Sequence, residues 1–188
     1  MNDTNTKQMA IKLYTIGHGN ELASAIINLL KNFHIEVLVD VRSSPYSQYC
    51  PQFNRETFEK NMKTAGLDYL FFGDRLGGRP KDPTCYKNNI IPDAKADYLH
   101  LVDYPIMMQK DFFLEGIGRL KRLAAAQTTA IMCSEEDPAK CHRHHLISRY
   151  LIDQGFEVLH IRSDGNLVNA KQITSVVTLP PEEQLGLF

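Results

Sequence analysis

Short apolar segments alternate along this chain with longer segments whose apolar residues recur every three to four positions. The short segments are typical of strands, and the longer ones have the period of helices that bury one face. Strands that alternate with helices favour a three-layer α/β fold of the Rossmann-like kind, a mostly parallel sheet with helices on both faces. The predicted strands are 11–16, 36–41, 69–72, 128–132 and 157–161.

Four helices are predicted between these strands. Asn20 and Asn54 can cap the first two, and Gly66 can close the second. The stretch 73–93 is rich in Gly, Pro and Asn and is predicted to be a long loop, a kind of connection that is usually functional or mobile. The predicted helices cover about 22–32, 55–65, 109–127 and 141–154.

The length of 188 residues indicates one domain, and 43% hydrophobic residues suffice for a full core. We expect a loose arm at 1–10, the α/β domain at 11–164 and a polar surface tail at 165–188. No apolar run approaches the roughly 20 residues of a membrane span, so no membrane contact is expected. The polar N-terminus lacks a signal-peptide core, and the protein is expected in the cytoplasm, where its four scattered cysteines stay reduced.

Chemically reactive side chains follow each predicted strand. The carboxyl ends of parallel strands meet at one edge of a sheet, and ligand sites of α/β folds gather there. The sequence therefore predicts one shared site at that edge. The residues that follow the first four strands are His18, then Asp40 and Arg42, then Arg75 and Arg79, and then Cys133 and Glu135.

Chemically reactive side chains are most concentrated in the segment C-S-E-E-D-P-A-K-C-H-R (Cys133–Arg143). Its second cysteine, Cys141, stands near a predicted helix N-terminus beside a cation, a setting that lowers the pKa of a thiol. Cys133 and Cys141 are therefore candidate nucleophiles. The candidate proton donors and acceptors are Asp40, Glu135 and His18.

A metal site is the alternative interpretation of the same segment. Thiolate and imidazole ligands suit zinc or iron, and the ligands would be Cys133, Cys141, His142 and His145. Their spacing matches no common zinc module, so we expect no metal and no other cofactor.

Arginine and glycine residues at the predicted edge favour an anionic ligand. Guanidinium groups bind phosphate through paired hydrogen bonds, and adjacent glycines let the backbone approach a ligand closely. A phosphatase-type loop is disfavoured because no arginine follows either cysteine by six positions, and no G-x-x-x-x-G-K-[ST] phosphate loop occurs. The predicted phosphate-binding residues are Arg42, Arg75, Gly77, Gly78, Arg79, His142 and Arg143.

Four motifs together resemble a widespread bacterial family of domains of unknown function. They are T-I-G-H-G (15–19), V-D-V-R-S-S-P (39–45), F-G-D-R-L-G-G-R (72–79) and the segment Cys133–Arg143. The resemblance covers about Lys12 to Asp164. It implies an α/β fold and a shared site, and it implies no particular reaction.

The C-terminal peptide Q-L-G-L-F resembles the Q-L-x-L-F peptide by which bacterial replication and repair proteins bind the sliding clamp. A tail of this kind presents two apolar anchors and one polar contact to a pocket. The predicted clamp-binding residues are Gln184, Leu185, Leu187 and Phe188.

These features lead to a functional hypothesis with two rivals. The first is an enzyme that acts on a phosphate-bearing substrate, a nucleotide or nucleic acid, in DNA repair or replication, with Tyr46, Tyr49, Phe53 and Tyr86 available to stack on a base. The second is a non-catalytic DNA-binding adaptor linked to the clamp. The third is a metal-binding or redox-sensing domain. The sequence leaves substrate, reaction, strand order and oligomeric state open.

Overall fold

The computed structural model describes residues 10–173 and confirms the α/β fold. Its strands are β1 (Lys12–Gly17), β2 (Val37–Asp40), β3 (Asp68–Phe71), β4 (Thr129–Cys133), β5 (Glu157–Ile161) and β6 (Leu167–Asn169). They form one sheet in the order β3-β2-β4-β1-β5-β6. The first five strands run parallel, and β6 is antiparallel to β5.

Helices cover both faces of the sheet, as the sequence predicts. The α-helices of the described region are α1 (Ala23–Asn32), α2 (Arg55–Thr64), α3 (Gly73–Leu76), α4 (Tyr98–Leu101), α5 (Tyr104–Met107), α6 (Asp111–Ala126) and α7 (Arg149–Asp153). A π-helix (Arg143–Ser148) leads directly into α7. None of these helices is long and apolar enough to cross a membrane.

Two apolar cores hold the three layers together. Leu30 of α1 and Phe58 of α2 pack in one core, whereas Phe113 of α6 and Leu151 of α7 pack in the other. Every residue of β2 and β4 is buried, because helices cover both sides of these central strands. Their continuous apolar character is therefore a consequence of their place in the sheet.

The sheet extends beyond residue 164, where the sequence predicted the tail to begin. β6 pairs with β5 after a turn in which the Asp164 carboxylate accepts a hydrogen bond from the Asn166 amide at 2.9 Å. This short, partly exposed edge strand has no apolar run that could identify it in the sequence. Residues 1–9 and 174–188, including the proposed clamp peptide, lie outside the described residues.

The connections at the centre of the sheet create a crevice. β1 and β4 are neighbours, but α1 follows β1 on one face and the π-helix follows β4 on the other. Chains that leave neighbouring parallel strands toward opposite faces open a gap at the carboxyl edge, which is the usual ligand position in such sheets.

Candidate functional site

A cleft of about 890 Å³ opens at the carboxyl ends of β1, β2 and β4. The structure thus brings together many of the side chains that the sequence placed at one edge. Of the predicted site residues, those that line the cleft are His18, Arg42, Gly78, Arg79, Cys133, Glu135, Cys141 and His142.

Two thiols and an imidazole converge at this cleft. The Nδ1 atom of His142 lies 3.6 Å from the Sγ atom of Cys133 and 3.9 Å from that of Cys141. All three atoms lie within 4.8 Å of one another. The Nε2 atom of His142 is 3.2 Å from the carbonyl oxygen of Val41. Because a carbonyl only accepts, Nε2 carries a proton, and Nδ1 is the ring nitrogen that faces the sulfurs.

The two thiols differ in their electrostatics. A hydrogen bond from Cys141, together with the nearby His142 and Arg143, holds the pKa of Cys133 well below its usual range despite burial. Burial and the adjacent Cys133 sulfur raise the pKa of Cys141 well above its usual range. The sequence predicted a lowered pKa for Cys141 from a helix N-terminus; the Arg143 backbone does lower this pKa, but burial and the Cys133 sulfur outweigh its contribution. Cys133 is therefore the sulfur that favours the thiolate.

Arg143 builds the loop that carries the thiols. Its buried guanidinium donates hydrogen bonds to the carbonyl oxygens of Glu135 and Glu136 and, at 3.2 Å, to the hydroxyl of Thr15. The loop also passes so close to Gly17 that a Cβ atom there would lie 1.8 Å from the Glu135 oxygen. The Arg143 side chain is thus held by this loop and by β1, and its role in phosphate binding stays a prediction.

Asp40, Arg42 and His18 form a second buried network. Arg42 Nη2 lies 2.6 Å from the Asp40 carboxylate, which also accepts a hydrogen bond from the hydroxyl of Tyr69 at 2.6 Å. The Asp40 side chain is fully buried. It is therefore a partner of Arg42 and Tyr69 and does not line the cleft, and its role in proton transfer stays a prediction.

His18 is occupied in the same network. Its Nδ1 atom donates to the Gly19 carbonyl oxygen at 2.8 Å, so Nε2 accepts from Arg42 Nη1 at 3.2 Å. Burial and the Arg42 charge lower the pKa of His18, which keeps the ring neutral. Both Arg42 and His18 line the cleft and have polar partners within the protein, and their roles in phosphate binding and proton transfer stay predictions.

Three further predicted residues serve the protein's own packing. Arg75 pairs with Glu115 of α6 at 2.8 Å and does not line the cleft. A Cβ atom at Gly77 would lie 2.4 Å from the Ser43 hydroxyl oxygen, and one at Gly78 would lie 2.6 Å from the His142 ring. Both glycines allow close packing of the chain against itself, Gly78 also lines the cleft, and their approach to a ligand stays a prediction.

His145 lies outside the thiol–imidazole cluster. Its Nε2 atom is 2.7 Å from the Ala139 carbonyl oxygen, and its ring stacks on Tyr104 at a centroid distance of 6.1 Å. The sequence grouped His145 with the possible metal ligands because it is three positions from His142. The π-helical turn instead directs it to another part of the protein.

The exposed charged side chains that line the cleft are Arg79, Lys140, Glu135 and Asp97, and the half-buried Glu136 and Asp137 line it as well. Arg79 is exposed and stacks over the ring of Tyr98 at 4.5 Å. Lys140 and Glu135 are exposed on the loop between the two thiols, and within residues 10–173 neither forms a salt bridge.

Several residues of the cleft were not predicted from the sequence, among them Lys140, Cys50 and Tyr104. Lys140 precedes Cys141 in the most informative motif, so its position was a usable signal. Cys50 and Tyr104 also line the cleft. No nearby motif marks either residue, and only the fold brings them to the site.

A comparison with known protein families identifies the family of this chain. Residues 23–151, more than half of the chain, match the family model described as a domain of unknown function, DUF488. The chain belongs to this family. The DUF488 match includes the Cys133–Arg143 segment and stops short of Gly17 and His18 on the N-terminal side. No curated protein and no solved structure matches the chain significantly.

Proposed function

We propose that this protein is an enzyme that acts on a phosphate-bearing substrate, a nucleotide or a nucleic acid, bound in the cleft. One observation carries the proposal: the Cys133–Cys141–His142 cluster lines a cleft whose wall also presents Arg79 and Lys140. Reactive groups next to accessible cations are the arrangement that phosphoryl-containing substrates require.

Arg79 and Lys140 are the phosphate-binding residues in this proposal. Both are exposed, whereas Arg42 and Arg143 are committed to buried protein partners. The Arg79 Nη1 atom donates to the Ala94 carbonyl oxygen at 3.4 Å, and the stacking on Tyr98 leaves the other N–H groups of the guanidinium edge able to donate to a ligand. The Glu135 carboxylate lies on the same loop as Lys140 and is the candidate proton acceptor.

Exposed aromatic rings favour a substrate that carries a base. Tyr49 is 94% exposed and lines the mouth of the cleft together with Tyr46, whose hydroxyl donates to Glu56 at 2.7 Å. Such rings can stack on bases without regard to sequence. Phe53 and Tyr86, the other two aromatic candidates, are buried in the apolar cores.

The buried cluster favours an enzyme over a DNA-binding adaptor. An adaptor needs cations and aromatic surfaces, but it has no use for two thiols and an imidazole at the cleft. We further propose that the tail residues Gln184–Phe188, outside the described region, connect this activity to the sliding clamp.

Ligand binding tests the proposal. Wild-type protein should bind nucleoside triphosphates or 5′-phosphorylated single-stranded oligonucleotides in isothermal titration. The double variant Arg79→Ala/Lys140→Ala should bind at least about 10-fold more weakly, since hydrogen bonds to charged groups contribute about 1.5–3 kcal/mol each.

The matched control is Arg122→Ala/Lys60→Ala, which removes the same charges from exposed positions on α6 and α2. This control should bind as the wild type does. Equal affinity of the two double variants, or no binding of any of these ligands by the wild type, contradicts the proposal.

A further inference from the structure

We propose that Cys133, Cys141 and His142 bind one zinc ion with an open coordination position that faces the cleft. The inference rests on the geometry of the three ligand atoms and on the contacts that orient them. It goes beyond the proposed function, because it holds whether or not the cleft takes a nucleotide.

Two of the three edges between the ligand atoms are close to those of a zinc tetrahedron. With Zn–S of about 2.3 Å and Zn–N of about 2.0–2.1 Å, a tetrahedral ion sets the S···N edge at about 3.6 Å and the S···S edge at about 3.8 Å. The S···N distances from His142 Nδ1 are 3.6 Å to Cys133 and 3.9 Å to Cys141. The two sulfurs lie within 4.8 Å of each other. Small side-chain rotations are enough to complete the site.

The surroundings of His142 fix it as a ligand. Its Nε2–H donates to the Val41 carbonyl oxygen at 3.2 Å, and a carbonyl partner on the second ring nitrogen is the usual support of a metal-bound histidine. Gly78 packs against the other side of the ring, where a Cβ atom would lie 2.6 Å from Cγ. The ring is therefore held between β2 and the loop after α3 with Nδ1 toward the sulfurs.

Charge balance suits a buried ion. Two thiolates and one neutral imidazole around Zn²⁺ give a site of zero net charge, so the nearly inaccessible cysteines (5% and 2% exposed) can hold it at low cost. Thiolate and imidazole ligands at tetrahedral spacing favour zinc over magnesium or calcium, which prefer oxygen ligands.

The fourth coordination position is open to the cleft. Cys133, Cys141 and His142 all line it, and His145 is turned away toward Ala139. Three protein ligands and one position for water or substrate distinguish catalytic zinc sites from closed structural ones. The loop between the two cysteines also places the Glu135 carboxylate on the wall of the same cleft.

Metal analysis of the full, untagged chain tests the inference. Protein purified under reducing conditions and equilibrated with zinc should retain about one zinc per chain after gel filtration. Cys133→Ser, Cys141→Ser and His142→Gln should each weaken zinc binding more than about 100-fold. The controls Cys50→Ser, Cys85→Ser and His145→Gln should keep the wild-type stoichiometry.

Cobalt substitution provides a readout that does not depend on the variants folding. Titration of metal-free wild-type protein with Co²⁺ should produce thiolate-to-cobalt charge-transfer bands and the intense visible bands of a tetrahedral site. A spectrum without these bands, retention of iron instead of zinc, or equal metal loss in the control variants overturns the inference. None of these results depends on nucleotide binding, so they separate its failure from a failure of the proposed function.

Discussion

The Nδ1 atom of His142 lies 3.6 Å from the sulfur of Cys133, although nine positions separate the two residues in the chain. Arg143 fixes the intervening loop through its carbonyl oxygens, and Gly17 gives the loop room to pass over β1. The geometry of the cluster therefore depends on the contacts that Arg143 and Gly17 make with this loop.

Gly17→Ala should lower the free energy of unfolding by about 2–3 kcal/mol, because the new methyl group would meet the backbone oxygen of Glu135. Gly118→Ala is the control, since a Cβ atom there meets no atom closer than 3.7 Å. Within α6 that change should raise the free energy of unfolding by roughly 0.5–1 kcal/mol. Urea denaturation measures both variants, and equal effects would contradict the close approach at Gly17.

Arg143→Met should lower the free energy of unfolding by about 3 kcal/mol. The substitution keeps an unbranched side chain but leaves the carbonyl oxygens of Glu135 and Glu136 without their donors, at about 1–3 kcal/mol for each buried group. Arg122→Met on the exposed face of α6 should stay within about 0.5 kcal/mol of the wild type. If urea denaturation gives the two variants the same stability, Arg143 is not a structural residue and remains a candidate ligand for phosphate.

His160 should make the protein less stable in acid. Its Nδ1 atom lies 2.7 Å from the Thr15 hydroxyl oxygen and its Nε2 atom 3.1 Å from His144 Nδ1. Burial, and after it the charge of Arg143, lowers the pKa of His160 to about 2. The unfolded chain therefore binds more protons than the folded one below the usual pKa of about 6.5, and the free energy of unfolding falls as the pH decreases from there.

His160→Gln should remove this contribution. Between pH 7 and pH 5 the variant should lose about 2 kcal/mol less stability than the wild type, because each pH unit below the usual pKa costs about 1.4 kcal/mol. His34→Asn, at an exposed position whose positive φ asparagine tolerates, is the control and should follow the wild-type curve. Parallel curves for all three proteins in urea denaturation at each pH would show that His160 does not set the pH dependence.

Deletion of Gln184–Phe188 should abolish binding to the bacterial sliding clamp, which we expect at a Kd of about 1–10 μM. Leu187→Ala/Phe188→Ala should have the same effect, since these residues are the apolar anchors of the motif. Thr64→Ala, on α2 of the domain, should leave clamp binding unchanged. Surface plasmon resonance on immobilised clamp measures all four proteins, and a deletion variant that still binds would remove the link to replication.

The fold was largely predictable because buried strands and helices require recurring apolar residues in the sequence. The continuous apolar run of β2 and the helical period of α1 each identify one element, and their alternation identifies the α/β class. β6 escaped prediction because three residues at an exposed sheet edge carry no such pattern. Strand order also depends on packing between distant segments, which one sequence does not reveal.

The sequence indicates where the candidate site lies better than it indicates what each residue does there. The motifs meet at one sheet edge because parallel strands end there, a consequence of topology alone. Whether an arginine binds a ligand or a neighbour depends on how the folded backbone orients the groups around it, even when those groups are close in the chain. Arg143 donates to carbonyl oxygens of the loop, and Arg42 donates to a carboxylate two positions away. The sequence around these two arginines looks the same for a structural role as for a phosphate site.

Turnover is the most direct test of the central claim that the Cys133–Cys141–His142 cluster is the reactive centre of an enzyme. Wild-type protein with one equivalent of zinc should be incubated with the nucleotides and oligonucleotides that it binds, and the products should be separated by mass spectrometry. We predict conversion by the wild type and by Cys85→Ser, and a loss of at least about 100-fold in Cys133→Ser. Binding without conversion by the wild type, or full conversion by Cys133→Ser, would contradict the account.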